Sequence, residues 1–267
     1  MSASLLHSLL RSAAGQRMRQ TLRAFIKTSS IYDLPLSQCE PEKARVAVLA
    51  PHMDDEVLGC GGTIARHAMA GSDVVVIFLT DGRLGGRPNV SQEEIVGVRK
   101  AEARRAAQIL GVRDVRFLDA EDSRLRSDPH VARGLKEILE RERPEIVYLP
   151  FFLEQHPDHR AATGVLLEAT HGSALRFECR GYEVGTPLFP NRLVRIDETL
   201  HLKEQALNSY QSQIALVDYR HYGFGLNAFR AIGLRDHCGR FAEAFQALEL
   251  ADYRRLCEAV GSRRSFF

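Results

Sequence analysis

From residue 44 onward, short apolar runs alternate with stretches of helical periodicity. Arg45–Ala50, Val74–Leu79, Val115–Leu118 and Ile146–Leu149 are dominated by aliphatic side chains without a polar alternate, as in strands buried on both faces. Gly61–Ala70, Gln92–Leu110 and Val131–Arg143 carry helical spacing, and Gly71 and Gly111 stop the first two. The alternation predicts an α/β fold, a mostly parallel sheet covered on both faces by helices. Farther along, Ala161–Thr170 and Glu198–Gln213 read as helices. Gly181–Val184 and Arg192–Ile196 read as short strands at a sheet edge or in a hairpin, and Phe241–Leu250 as a helix.

The first forty residues follow another pattern. Residues 1–27 hold Arg11, Arg17, Arg19, Arg23 and Lys27 and no acidic residue. Leu5, Leu6, Leu9 and Ala13 share one helical face, and Met18, Leu22, Phe25 and Ile26 share another, with Gly15 between them. This predicts two short amphipathic helices in a basic extension, 1–40, ahead of one domain, 41–267. Such helices either lie on an anionic membrane surface or bury their stripe against the protein's own core or a second copy in a homo-oligomer. An acid-free, Arg- and Ser-rich start also fits an organellar transit peptide.

Bulk composition narrows the classes. At 267 residues the chain can bury a full core. A net charge of +2, with no aromatic-interleaved basic patch, gives no footprint for nucleic acid. Cys39, Cys60, Cys179, Cys238 and Cys257 are odd in number and none are paired at C-x-x-C spacing, which predicts free thiols in a reducing compartment, the cytoplasm. No run is long enough to span a bilayer.

Two stretches concentrate imidazole and carboxylate: Ala50-Pro51-His52-Met53-Asp54-Asp55-Glu56 and His156-Pro157-Asp158-His159. Each follows an expected strand, and in parallel sheets sites lie beyond the carboxyl ends of strands. His52, Asp55 and His159 facing one point would make an open zinc site with a position left for water. Asp54 would then hold the metal-bound water as general base. His156 would polarise the developing oxyanion and protonate the leaving amine, and Asp158 would orient an imidazole. Taken singly, the first stretch reads as an acidic helix start and the second as a polar surface turn.

The two stretches resemble the PIG-L/LmbE family of zinc-dependent de-N-acetylases, which carries Pro-His-Pro-Asp-Asp-Glu after its first strand and His-Pro-Asp-His after a later one. The resemblance covers about residues 44–170 and implies a three-layer αβα Rossmann-like (LmbE-like) domain. It implies His52, Asp55 and His159 as Zn2+ ligands, with another divalent ion as the alternative. It also implies Asp54 as base and His156 as the group that stabilises the transition state. Arg99, followed by Glu102, resembles the family's Arg-x-x-Glu, whose Arg contacts substrate; the alternative is a surface ion pair. Asp122 resembles an acidic contact to sugar hydroxyls; the alternative is a turn residue.

Met53 departs from the family's Pro, which implies an altered turn with its ligands intact. Arg83, in Thr80-Asp81-Gly82-Arg83, and Arg87 could meet an acidic group of the substrate or be solvated loop residues. Gly59-Cys60-Gly61-Gly62 lacks the dinucleotide-binding spacing, and its glycines are expected to let the helix approach the metal. Tyr182, Tyr210, Tyr219 and Tyr222 could stack on a sugar or pack in the core.

The implied function is removal of acetyl from an N-acetylated amino sugar, an N-acetylglucosamine-type glycan, glycolipid or surface-polysaccharide precursor. The basic start suits a lipid-borne substrate at the inner face of a membrane. Alternatives are amide hydrolysis on a sugar–thiol conjugate by the same site, and a non-catalytic sugar- or nucleotide-binding domain.

Overall fold

The computed structural model describes residues 37–86, 90–125, 129–234 and 239–261. The amphipathic stretches read in residues 1–27, and Arg87 and Cys238, lie outside them.

The strands, in chain order, are β1 (Ser37–Gln38), β2 (Arg45–Ala50), β3 (Asp73–Thr80), β4 (Asp114–Ala120), β5 (Ile146–Pro150), β6 (Glu178–Tyr182), β7 (Arg192–Arg195) and β8 (Ala242–Glu249). They form one sheet in the order β1-β7-β8-β6-β5-β2-β3-β4. β2 pairs in parallel with β3 and with β5, and β5 with β6. β8 runs antiparallel between β6 and β7, so the sheet is mixed. β1 lies in the segment assigned from the sequence to the helical extension. It is a two-residue strand parallel to β7.

The helices are α1 (Asp55–Met69), α2 (Gln92–Ile109), α3 (Pro129–Glu142), α4 (Pro157–Ala169), α5 (Leu200–Leu207), α6 (Gln211–Ile214), α7 (Tyr219–Arg230) and α8 (Leu250–Gly261). They cover both faces. Ala47, Leu49, Ile77 and Leu149 point to one side and pack with α3, α4 and α8. Val46, Val48, Val76 and Tyr148 point to the other and pack with α1, α2 and α5. The alternation in β2 is thus apolar on both sides, as a doubly covered strand requires. No helix among the described residues is long and apolar enough to cross a membrane.

Three elements differ from the sequence-based expectation. The stretch Phe241–Leu250 was expected to be a helix, and most of it forms β8. Its Ala, Glu, Gln and Leu are good helix formers, but hydrogen-bonded ladders on both edges and burial on both faces outweigh that local preference. Glu198–Gln213 breaks into α5 and α6 at Asn208–Tyr210. α1 begins at Asp55 rather than Gly61 and is kinked at Cys60 (φ −148°, ψ 21°).

The kink has a visible support. Glu243 of β8 reaches across and accepts the freed backbone N–H groups of Gly62 (3.0 Å) and Thr63 (2.7 Å), as a cap does at a helix start. Lys203 of α5 neutralises that carboxylate at 2.6 Å and also donates to the Leu58 carbonyl and to Asn227. The glycines around the kink serve packing against the sheet rather than approach to a metal. A Cβ on Gly59 would fall 2.1 Å from the Tyr182 ring, and one on Gly62 2.7 Å from Ile196.

Candidate active site

β2 and β5 are adjacent, and the chain leaves them toward opposite sides of the sheet, β2 for β3 and β5 for β6. Their carboxyl-terminal loops therefore diverge and open a crevice. The first loop carries His52, Asp54 and Asp55, and the second carries His156 and, at the start of α4, Asp158 and His159. The resulting cleft, of about 300 Å3, is lined by His52, Asp54, Asp55, Arg99, Asp122, His156 and His159, with Leu58, Leu84, Val184, Gln213 and Tyr219 among its other walls.

Asp55 is the centre of the arrangement. Its Oδ2 stands 3.3 Å from His52 Nδ1 and 3.2 Å from His159 Nε2, and accepts the His52 backbone N–H at 2.9 Å. Tetrahedral coordination with bonds of about 2.0 Å places ligand atoms about 3.3 Å apart. Both nitrogens stand at that spacing from the Asp55 oxygen, and one oxygen with two imidazole nitrogens is a donor set of the zinc kind. A wider set, His52 with His156 and His159, also brings three ring nitrogens within 4.8 Å of one another.

Surrounding contacts fix these side chains. His52 Nε2 faces Asp158 Oδ2 at 3.2 Å and Asp122 Oδ1 at 3.3 Å, so a proton on Nε2 is held in place and Nδ1 is the nitrogen turned toward Asp55. Asp158 is itself held by the backbone N–H groups of Ser123 (2.7 Å) and Leu125 (3.3 Å). Burial works against charging His52, but Asp122, Asp158 and Asp55 outweigh it and hold its pKa well above the usual imidazole value. His159 is raised to about 9, burial again being overcome by Asp55 and Glu154. Burial also works against ionised Asp55, yet His159 and His52 hold it well below the carboxylate range. The carboxylates that draw protons onto the two imidazoles would draw a divalent cation to the same nitrogens, and such a cation binds by displacing those protons.

Asp54 sits beside them in a backbone conformation rare for a side-chain-bearing residue (φ 140°, ψ −25°). Burial and neighbouring Asp55 push its pKa up to about 7, against the pull of Arg99. The guanidinium of Arg99 is buried, donating from Nη2 to the Met53 carbonyl (2.8 Å) and from Nη1 to the Gly82 carbonyl (3.0 Å), with Asp54 Oδ1 3.7 Å away. Arg99 therefore ties the Asp54 turn to the next loop and makes no pair with Glu102, whose carboxylate instead accepts from Ser212. Its Nε has no partner.

His156 caps α4, accepting the Asp158 backbone N–H on Nδ1 at 3.2 Å, which leaves Nε2–H as its donor. Burial, with His52 and His159 nearby, lowers its pKa, so it is neutral near pH 7. Asp122 lines the cleft, its Oδ2 accepting the Leu84 N–H. Arg83 does not reach the cleft lining; its Nε donates to Asp81 Oδ2 at 2.7 Å. Tyr182 and Tyr210 are fully buried, Tyr219 lines the cleft and Tyr222 is exposed.

Two buried glutamates complete the surroundings. Glu56 accepts the Asp54 N–H and a short hydrogen bond from Tyr210, and burial raises it to about 8. Glu154 stands 3.9 Å from His159 Nδ1 and accepts the backbone N–H groups of Val184, Gly185 and Thr186. The sequence does carry a signal for Glu154, a lone acid directly after Pro150-Phe151-Phe152-Leu153 and two residues before His156.

Residues 47–170 match the family described as PIG-L, GlcNAc-PI de-N-acetylase. The chain is 31% identical over 207 residues to diacetylchitobiose deacetylase of Thermococcus kodakarensis, covering 71% of this chain and 78% of that one. The chain belongs to the PIG-L family. Among solved structures, N,N'-diacetylchitobiose deacetylase from Pyrococcus horikoshii superposes with a TM-score of 0.69 at 25% identity, over 85% of this chain and 92% of that one. A 113-residue stretch, 40% of this chain, is 33% identical to 4-oxalmesaconate hydratase of Pseudomonas putida, covering 43% of that protein.

Proposed function

We propose that the protein is a metal-dependent deacetylase that removes acetyl from the nitrogen of an N-acetylglucosamine-type sugar. The single observation that carries the reading is Asp54, a buried carboxylate raised to about 7, placed beside the His52–Asp55–His159 cluster. His52, Asp55 and His159 would hold a divalent ion, zinc by the donor set, which when bound supplies Lewis acidity toward water and the amide carbonyl.

The chain's own groups do the rest. Asp54 accepts a proton from the attacking water as its oxygen bonds to the carbonyl carbon. His156 Nε2–H donates to the carbonyl oxygen as that oxygen gains negative charge. The C–N bond then breaks, the proton passes from Asp54 to the departing nitrogen, and acetate and the free amine leave. Asp158 and Glu154 keep the two imidazoles oriented, and Arg99 keeps the Asp54 turn in place. Asp122 beside the cleft is the acceptor for a sugar hydroxyl. The relatives named deacetylases support the reaction class.

The test is acetate release from N-acetylglucosamine and diacetylchitobiose by the zinc-loaded protein, with Asp54→Asn beside it. Release by wild type and its loss in Asp54→Asn, with metal content equal, supports the reading. Similarity to a hydratase favours one rival, addition of water to an activated double bond. No acetate, together with hydration of an unsaturated dicarboxylic acid, would put that rival in its place.

A further inference from the structure

A second cavity, of about 380 Å3, lies beside the metal cleft and shares Leu58, Val184 and Tyr219 with it. Its remaining wall comes from Pro187, Tyr222, Gly223 and Leu226, among others, so that α7 faces the loop after β6 across it. Apart from the Tyr219 and Tyr222 hydroxyls, the polar side chains in this wall are already engaged. Glu183 pairs with Arg230 and accepts the Leu188 N–H. Asn227 accepts from Lys203 and donates to the Ala242 carbonyl. The N–H groups of Val184, Gly185 and Thr186 all go to Glu154, and the Thr186 hydroxyl accepts from Gln155. A second sugar ring placed here would bury hydroxyls against few free partners, which is unfavourable. Apolar surface placed here would gain. The volume falls within the range of small-molecule pockets.

We propose that this cavity is a subsite for an apolar group, alkyl or aryl, attached to the same sugar whose acetamide enters the metal cleft. The inference rests on the deacetylase reading for its orientation: Leu58, Val184 and Tyr219 belong to the walls of both spaces, so the two lie side by side. The preferred substrate is then an N-acetylated amino sugar with a hydrophobic aglycone rather than a free sugar or an all-polar oligosaccharide.

Gly223 supplies the probe. A Cβ there would meet only Leu58 Cδ2, at 3.9 Å, so a larger side chain extends into the cavity without striking backbone. Replacing a glycine inside α7 also favours the helix. The experiment is calorimetric titration of the zinc-loaded full chain, wild type and Gly223→Phe, with methyl, butyl, hexyl and phenyl N-acetylglucosaminides, with acetate release measured in parallel. In wild type the Kd should fall by up to about fourfold per buried methylene, and by roughly tenfold or more from methyl to hexyl. In Gly223→Phe the hexyl-to-methyl ratio should collapse toward one. Leu226→Asn, which places an amide in the same wall, should reduce the ratio independently and covers the case in which Gly223→Phe fails to fold. A stronger gain for phenyl than for butyl assigns the space to an aryl group, and the reverse to an alkyl chain. Equal Kd across the wild-type series, or an unchanged ratio in the folded variants, overturns the subsite even if every glycoside is deacetylated. A persistent chain-length gain with no acetate released overturns the deacetylase reading and leaves the subsite standing.

Discussion

Lys203 and Glu243 meet at 2.6 Å with neither side chain exposed to solvent. Their other partners are backbone groups of α1, the helix that presents Asp55, and the Asn227 side chain. Removing one member of such a pair leaves an uncompensated buried charge, which costs about 3–5 kcal/mol. Lys203→Met should therefore lose that much stability in urea unfolding. The double variant Lys203→Met, Glu243→Gln should recover a large part of it, because the amide oxygen still accepts from Gly62 or Thr63. A double variant no more stable than Lys203→Met would show that the charge is not what matters.

Asp54→Asn preserves shape and polarity at a strained position while removing the proton acceptor. We expect deacetylation to fall by about 10²–10⁴, with metal content unchanged by elemental analysis. Loss of metal along with activity would move Asp54 into the ligand set.

Asp158 contacts His52 Nε2 at 3.2 Å, and Glu154 faces His159 Nδ1 at 3.9 Å, where that nitrogen has no hydrogen-bond partner. Orienting carboxylates of this kind are worth about 10–100-fold in metal affinity. Glu154→Gln and Asp158→Asn should each weaken zinc binding by that factor in a chelator competition, and reconstitution at saturating zinc should restore most activity. Glu154→Gln should additionally loosen the 184–186 loop, seen as faster amide exchange at Val184, Gly185 and Thr186, because its Oε1 accepts from all three.

His67, in the last turn of α1 and not part of the cleft lining, is buried between Tyr148 (3.0 Å) and Ser72 (3.3 Å). Burial, and Arg180 nearby, lower its pKa to about 4. The unfolded chain takes up the proton first, near pH 6.5, so this contribution to stability is complete above that pH. It is lost as pH falls from about 6.5 to 4 and levels off below. The shift corresponds to a contribution on the order of 3 kcal/mol. Unfolding free energies of wild type and His67→Gln measured from pH 4 to 7 should diverge at the upper end and converge at the lower. Parallel curves would contradict the assignment.

Several of these features are legible in the sequence. β2 and β5 are read easily, because a strand covered on both faces must be apolar throughout, and the site motifs follow them directly. The expectation that His52, Asp55 and His159 meet rests on both motifs following strands of one sheet, and the pairing of β2 with β5 does set Asp55 beside both imidazoles. β8 is not legible, because its residues favour a helix and only the ladders from β6 and β7, distant in sequence, decide otherwise. The start of α1 is hidden by Gly59, Gly61 and Gly62, whose weak helix preference is offset by contacts with Tyr182, Lys203 and Ile196. Arg99 is visible as a residue but not as a buried tie between two loops, since that depends on where the Met53 and Gly82 carbonyls fall. Arg83 illustrates the converse, a plausible anion contact whose partner proved to be Asp81.

The reach of Glu243 to Gly62 spans 181 positions. During synthesis, the helix that presents Asp55 leaves the ribosome long before the strand that caps its broken turn. At about 5–20 residues per second, that interval lasts roughly ten seconds or more. Until the late strand arrives, the open amides at the kink and the lysine that will face it have no carboxylate to meet. The cleft of a nascent chain is thus completed only once β8 has been made, although the histidines and aspartates of its two motifs are in place by residue 159.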